Sequence, residues 1–153
     1  MLASSSSCGY RFAAPNSKLP QGITRVQVPV FNNRTAEPGA DALFTEALRE
    51  HLFRAGRLGD ASSGATIEGE LTGVSSGVLA ASPGRLPNYR LNASLTLVLK
   101  KNGALVARAD VAGGEDFPAG ADVLWAETYR AAALRRLAES LTREGLEQLA
   151  TGW

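Results

Sequence analysis

Cysteine and histidine are almost absent from this sequence, which contains one of each in 153 residues. A single cysteine excludes an intramolecular disulfide and the metal clusters that several thiolates build together. A catalytic thiolate needs a neighbouring base, and the one histidine, His51, falls in a predicted helix far along the chain. With no nucleophile–base pair, metal motif or phosphate-cradling glycine loop, the sequence predicts a non-enzymatic protein without metal or cofactor.

Strong charge and long apolar runs are also missing. The formal net charge is +1, so no global field selects a nucleic-acid partner. No stretch approaches about 18 consecutive apolar residues, the length of a transmembrane helix. Hydrophobic residues make up 44% of the chain and charged residues 20%, which suffices for an ordinary core. The composition therefore predicts one globular domain.

The cysteine that is present follows a run of small residues, Ala3–Ser7. Bacterial lipoprotein signals end in this way, because the signal peptidase requires small side chains before the cysteine that receives the lipid. The pattern predicts that residues 1–7 are the remnant of a lipoprotein signal peptide and that Cys8 carries a membrane anchor. Gly9 replaces the aspartate that often retains lipoproteins at the inner membrane, which favours the periplasmic side of the outer membrane. The alternative is an incidental cysteine in an N-terminal tail.

Hydrophobic periodicity divides the rest of the chain into six elements. Residues 8–22 lack periodicity and are predicted to be a lipidated tether, and residues 23–150 a single domain. Two segments show the apolar stripe of a helix, Ala40–Arg54 and Val123–Leu149, with Asp122 capping the second. Strands are predicted at Thr24–Val30, Thr66–Val74, Tyr89–Lys100 and Ala104–Val111.

The strongest strand signal is Tyr89–Lys100, where apolar and polar residues alternate. Asn102-Gly103 behind it is typical of a two-residue hairpin turn. The segment Ser75–Asn88 and the glycine-containing stretch 113–120 are predicted to be connections. Because one face of the sheet is polar along its length, both helices are expected on the other face. The predicted fold is an α+β two-layer sandwich of order β-α-β-β-β-α, with two helices on one face of a four-stranded mixed sheet.

Short motifs, taken in this order, resemble those of a known family. They are Cys8-Gly9-Tyr10-Arg11-Phe12, Leu19-Pro20, Val28-Pro29-Val30-Phe31-Asn32-Asn33, Thr35, Glu37-Pro38, Tyr89-Arg90-Leu91, and Tyr129 with Ala131–Ala133. Over nearly the whole chain the sequence is similar to the lipopolysaccharide-assembly lipoprotein family LptE. The resemblance implies a non-enzymatic plug inside the outer-membrane β-barrel protein LptD, which helps the barrel to assemble and contacts lipopolysaccharide during its transport to the cell surface.

The resemblance also implies a ligand site, because basic residues near the loop before the long strand are associated with lipopolysaccharide contact in this family. Arg85 and Arg90 occupy that region, and a guanidinium can bind a phosphate in a bidentate manner. Together with Lys100 and Lys101 they are predicted to form a phosphate-binding rim. The alternative is that Arg90 and Lys100 lie on a solvated sheet face, while Lys100 and Lys101 flank an ordinary hairpin.

Other residues are predicted to be structural. His51 is expected on a helix surface, and Trp125 and Trp153 are expected to pack rather than to bind. One further function stays open at this stage, namely a periplasmic adaptor lipoprotein that activates an envelope enzyme such as a cell-wall synthase. A similar order of strands and helices serves either function.

Overall fold

The computed structural model describes residues 18–151 and consists of one mixed sheet and two helices. The strand order across the sheet is β1-β2-β3-β4, with β1 parallel to β2 and the other neighbours antiparallel. This confirms the predicted α+β architecture and its element order. The elements are β1 (Asn32–Asn33), α1 (Ala40–Arg54), β2 (Ala65–Ala80), β3 (Asn88–Lys101), β4 (Ala104–Pro118) and α2 (Val123–Thr151), with short 3-10 turns at Pro20–Gly22 and Ala61–Ser63.

Both helices cover the same face of the sheet, as predicted. α2 packs along β4 and β3, and α1 packs against α2 and the β1–β2 side. Burying a leucine side chain contributes roughly 1.5–3 kcal/mol, so this shared apolar layer is the main source of stability. The core residues of β3 are those that the alternation assigned to the apolar face: Leu91, Ala93, Leu95, Leu97 and Leu99.

The predicted turn and helix signals are confirmed locally. Asn102 and Gly103 join β3 to β4 with φ values of 48° and 80°, which is the positive-φ geometry of a tight hairpin. The Asp122 carboxylate accepts a hydrogen bond from the Trp125 amide at 3.0 Å and caps α2. α2 continues through Gly145, where a side chain would approach Leu97 to 2.6 Å.

The predicted strand Thr24–Val30 is wrong as a regular strand. Only Val26 and Gln27 form isolated parallel bridges, and the regular ladder begins at β1. Val26 and Val28 are buried, but Val30 is 61% exposed. Pro29 accounts for the interruption, because it has no N–H to donate to a neighbouring strand.

Two predicted connections are also wrong, because half of Ser75–Asn88 and most of the stretch 113–120 are strand. β2 continues to Ala80, so the connection to β3 is limited to residues 81–87, and β4 continues through the glycine-containing stretch to Pro118. Both strands continue because β3 runs beside them for their whole length. Asn88, at the start of β3, lies opposite Ala80 of β2 and Pro118 of β4. Ladder hydrogen bonds to a central strand outweigh the low β-propensity of glycine and serine.

The sheet has two ends, which we call the base and the tip. The base is the end with the Asn102-Gly103 turn, and the tip is the end with residues 81–87 and the start of α2. The described chain enters at the base, where Leu19 is buried and Lys101 Nζ donates to the Gln21 carbonyl at 3.0 Å. Since β3 spans the sheet, the two ends are about 45 Å apart.

The predicted signal remnant and Cys8 lie outside the described residues, as does most of the predicted tether. Within residues 18–151, no helix combines the length and the apolarity that a membrane span needs.

Candidate binding surface at the tip of the domain

Exposed large apolar side chains concentrate at the tip. The described residues contain ten such side chains, and seven of them lie at this end. They come from the end of β2, the loop 81–87 and the first two turns of α2, with exposed fractions between 37% and 80%. Exposed apolar side chains that gather at one end of a domain make that end a candidate binding site. The seven residues, which we call the tip surface, are Val78, Leu79, Leu86, Val123, Leu124, Trp125 and Tyr129.

Backbone contacts hold the parts of the tip surface together. The Ala119 amide donates to the Pro87 carbonyl at 3.0 Å, which ties the loop 81–87 to the connection between β4 and α2. Gly120, with φ 76°, then turns the chain so closely beneath α2 that a Cβ would lie 2.7 Å from the Ala126 nitrogen. Only glycine fits this position, so the approach of the loop to α2 is fixed by the backbone.

Two stacked aromatic pairs lie at the tip. Tyr89 stacks on the buried Phe117 with ring centroids 5.5 Å apart, and Trp125 stacks on Tyr129 at 5.9 Å. Trp125 packs on Tyr129 at the surface and remains 52% exposed. A rigid, exposed Trp–Tyr pair offers apolar area together with polar ring edges, which is typical of interfaces. Trp153 lies outside the described residues.

Two of the four predicted basic site residues lie near the tip. Arg85 is exposed in the turn of the loop 81–87, where its amide donates to the Ser82 carbonyl at 3.1 Å. No ion pair of the described residues includes its guanidinium. Arg90 instead donates to both oxygens of Asp116, at 2.7 and 3.1 Å, across the strand pair. The hydrogen bonds from Arg90 lower the pKa of the Asp116 carboxyl, so Arg90 already has an anionic partner.

The other two predicted basic residues lie at the base. Lys100 Nζ is 2.6 Å from Glu68 Oε2, and Lys101 binds the Gln21 carbonyl. Ten residues of extended β3 separate Lys100 from Arg90, a distance of about 33 Å. The four residues therefore do not form a single rim. Phosphate binding by any one of them stays a prediction, and the geometry leaves Arg85 as the best placed.

The outer face of the sheet carries compensated charges. Hydrogen bonds from Arg108 and then Thr96 lower the pKa of Asp110 to about 2, with Thr96 Oγ1 at 2.6 Å from the carboxylate. A shallow groove of about 440 Å³ crosses this face. Its two acidic residues are both paired, Glu68 with Lys100 at 2.6 Å and Glu70 with Arg34 at 3.4 Å. This is the solvated face that the alternation predicted, and the described residues leave no net charge on it to attract an anion.

Polar side chains also link the two helices to each other and α2 to the loop before α1. His51 Nε2 lies 3.0 Å from the Glu139 carbonyl and links α1 to α2. Arg130 in α2 forms a bidentate pair with Glu37, in the loop before α1, with Nη1 2.9 Å from Oε1. Residues 18–151 contain no group of three or more histidine, cysteine or acidic side chains arranged to hold a metal ion.

The Glu37–Arg130 pair is expected to make stability depend on acid pH. The hydrogen bond from Arg130 lowers the pKa of Glu37 below its ordinary value of 4.5. A lowered carboxyl pKa in the folded state gives stabilisation that is complete above pH 4.5 and is lost as the pH falls through the folded pKa. We expect Glu37→Gln to reduce the free energy of unfolding at pH 7 by on the order of 1 kcal/mol.

Urea titrations between pH 7 and pH 3 would measure this effect, and the difference between wild type and Glu37→Gln should shrink as the pH falls. The matched control is Glu50→Gln, whose pair with Arg54 is exposed to solvent. Exposed pairs of this kind contribute about 0.5 kcal/mol or less. A constant difference at all pH values would show that the Glu37 charge does not stabilise the fold.

Solved structures of low sequence identity share this fold. Rare lipoprotein B from Shewanella oneidensis has a TM-score of 0.59 at 13% identity, with 82% of this chain and 94% of that chain covered. A minor lipoprotein from Acinetobacter baumannii has a TM-score of 0.55 at 10% identity, with 84% of this chain and 94% of that chain covered. The PelC dodecamer from Paraburkholderia phytofirmans has a TM-score of 0.51 at 21% identity, with 83% of this chain and 86% of that chain covered. Among curated proteins, none matches the sequence significantly.

The structure is a small α+β domain whose fold is shared with solved bacterial lipoproteins. The family model described as LptE, lipopolysaccharide-assembly, matches residues 23–149, which is almost the entire described domain. The chain belongs to the LptE family. Membership makes it an envelope protein of lipopolysaccharide assembly, within a family of non-enzymatic lipoproteins, and confirms the resemblance seen in the sequence.

Proposed function

We propose that this protein is a non-enzymatic outer-membrane lipoprotein that plugs the LptD β-barrel, assists its assembly and takes part in moving lipopolysaccharide to the cell surface. Its anchor is a lipid on Cys8, on the periplasmic side of the membrane. The observation that supports this proposal is that the point where the chain enters the domain and the exposed apolar surface lie at opposite ends. The chain enters at the base, whereas the tip surface and Arg85 lie at the opposite end.

This separation suits a plug. Residues 8–17 would span about 34 Å when extended, and the domain itself about 45 Å, so the tip can stand well away from the lipid anchor. An exposed apolar surface in that position needs a protein wall or a lipid ligand to cover it. A barrel that conducts lipopolysaccharide offers both, since lipid A combines acyl chains with phosphates.

Co-purification tests the barrel partnership. The full-length lipoprotein, extracted from envelopes in detergent, should bring down the LptD barrel of the same cell. The tip variant Leu86→Ser with Leu124→Ser should retain much less barrel, because burying two leucines contributes roughly 3–6 kcal/mol. The control is Phe53→Ser, which removes an equally exposed apolar side chain from α1. Loss of the barrel with Phe53→Ser alone would place the interface on α1, and recovery of a cell-wall synthase would favour the adaptor function.

Lipopolysaccharide binding is expected to depend on Arg85. Removing one desolvated, charge-assisted hydrogen bond costs roughly 1.5–3 kcal/mol, and reversing the charge costs more. We therefore expect Arg85→Glu to weaken binding of purified lipopolysaccharide by more than about tenfold, without changing the melting temperature. Arg90→Gln should have a small effect, because Arg90 is committed to Asp116.

Binding measured by titration calorimetry would decide this point. Arg143→Glu is the matched control, since it reverses an exposed arginine on α2 away from the tip. Equal losses for Arg85→Glu and Arg143→Glu would indicate general electrostatics rather than a site. An unchanged affinity for Arg85→Glu would remove Arg85 from the proposal and leave the apolar tip surface as the only candidate.

A further inference from the structure

The outer edge of β2 is paired along only part of its length. β1 lies beside Glu70 and Leu71, and the chain before β1 bridges Thr66. From Thr72 to Ala80 no described strand lies on this side, since β1 is the edge of the sheet. The side chains from residue 75 to residue 80 are all exposed. About half of a long strand therefore presents an open edge, and that half leads to the tip.

The hydrogen bonds of the paired half show which main-chain groups point outward. On the outer side, the Ile67 amide donates to the Gln27 carbonyl and the Leu71 carbonyl accepts from Arg34, at 2.9 and 3.0 Å. Ile67 and Leu71 lie opposite Leu99 and Leu95 of β3. In an antiparallel pair, inward-pointing and outward-pointing residues alternate along each strand. The β2 residues that lie opposite odd-numbered residues of β3 therefore point their N–H and C=O groups outward, away from β3.

The same alternation continues along the unpaired half of β2. A bulge at Thr72 shifts the register by one, so that odd-numbered residues of β3 now lie opposite Val74, Ser76 and Val78. The N–H and C=O groups of these three residues point away from β3. They form three donor–acceptor pairs at strand spacing, which is the pattern that an added strand needs.

The open edge lacks charged side chains and prolines, two of the features that protect edge strands. Residues 72–80 read TGVSSGVLA, with no charged residue and no proline. β4, the opposite edge of the sheet, carries Arg108, Asp110, Glu115 and Asp116. Charged side chains and prolines discourage pairing with another chain. The contrast between the two edges indicates that β2, and not β4, is adapted for pairing.

We infer that the β2 edge at Val74–Val78 receives an extended segment of the partner barrel as an additional strand. This inference rests on the function proposed above and identifies how the partner is held. The expected segment is uncharged for about five residues, and every second side chain is apolar, so that it meets Val74 and Val78 on the helix-bearing side. Main-chain hydrogen bonds would hold the segment, and these alternate contacts would select it.

Two other occupants fit the geometry less well. The chain's own N-terminal segment leaves the domain at the base, and Ser76 lies eleven residues up β2 from Ala65, about 36 Å away. A tether starting at Cys8 would be fully extended before it reached the edge. In a second copy paired antiparallel about Ser76, Ala80 would face the partner's Thr72. The loop 81–87 would then meet the β1 of the other copy, because β1 occupies the edge up to Leu71.

Site-specific photocrosslinking in the full-length, membrane-anchored protein tests the inference. Benzoylphenylalanine replaces Ser75 in one variant and Gly77 in another, since both are exposed and a Cβ at Gly77 meets nothing within 4 Å. Both variants should crosslink to the barrel, and the crosslinked barrel residue should move by two positions between them. Only strand pairing predicts this shift. The control position is Ala112, exposed on β4, where no crosslink is expected.

A second variant pair tests the hydrogen bonds. Ser76→Pro removes an outward N–H without touching the β2–β3 ladder, whereas Ser76→Ala keeps it. Ser76→Pro should retain at least about tenfold less barrel than Ser76→Ala, the equivalent of about 1.4 kcal/mol. If Ser76→Pro does not fold, the crosslinking result decides alone.

The possible outcomes separate this inference from the function on which it rests. A barrel that co-purifies with wild type, with no crosslink from either position or with no two-residue shift, overturns the strand pairing and leaves the plug proposal intact. Crosslinks to a second copy or to residues 1–17 of the same chain also overturn it. If wild type brings down no barrel, both proposals fail together.

Discussion

Leu95→Asp is expected to leave the domain largely unfolded at room temperature. Leu95 is 1% exposed in the middle of β3, the strand that both β2 and β4 pair with. Losing the leucine costs roughly 2–5 kcal/mol, and a buried carboxylate without a partner adds several more. Domains of this size have a total stability of about 5–15 kcal/mol, so the expected loss is close to the total free energy of unfolding.

Circular dichroism and urea unfolding of the purified domain would measure the effect of Leu95→Asp. Asn92→Asp is the matched control, because it introduces the same side chain on the same strand but on the solvated face. Its cross-strand neighbours are Ser75 and Gly114, neither of which carries a charge. We expect a change below about 0.5 kcal/mol for the control. Similar midpoints for the two variants would mean that the faces of β3 are assigned incorrectly.

Gly69→Ala is expected to produce the second-largest loss of stability. A Cβ at Gly69 would lie 2.5 Å from carbons of the Phe31 ring, which is itself only 3% exposed. The ring packs directly on the β2 backbone, so relief would require the segment before β1 to move away from the sheet. Overpacking of this kind costs roughly 1–3 kcal/mol.

Gly77→Ala provides the control for Gly69→Ala on the same strand. A Cβ at Gly77 meets nothing within 4 Å, so alanine should be neutral there, or stabilising by a few tenths of a kcal/mol through its lower unfolded-state entropy. Thermal and urea unfolding of both variants would give the comparison. Equal stability of Gly69→Ala and wild type would show that Phe31 does not depend on the glycine.

The parts of the fold that were predicted correctly are those decided by local pattern. α1 runs from Ala40 to Arg54 as predicted, because its apolar stripe faces one continuous core. β3 was clear because the sheet has helices on one side and solvent on the other, which enforces strict alternation. The true lengths of β2 and β4 could not be read locally, since their glycine-rich halves become strand only by pairing with β3.

The candidate site was harder to predict because it is assembled from separate segments. Arg85 lies in the exposed loop 81–87 at the tip, whereas Arg90 has a partner, Asp116, that lies 26 positions away in sequence. The tip surface brings together the end of β2, a short loop and the start of α2, so no single window of sequence shows it. One signal was available, namely Trp125 at the first turn of a helix whose buried stripe begins only at Ala133.

The connectivity of the sheet also bears on the order in which the chain acquires its structure. β2, β3 and β4 form a meander of neighbouring hairpins, whose contacts close short loops and are formed early. β1 pairs with β2 in parallel, with Asn32 opposite Glu70, and all of α1 lies between the two strands in sequence. This pairing closes a much longer loop, so we expect it to form later. During folding, the uncovered part of β2 thus extends beyond residues 72–80 until β1 docks, and an early-binding partner strand would meet a longer edge than the native domain offers.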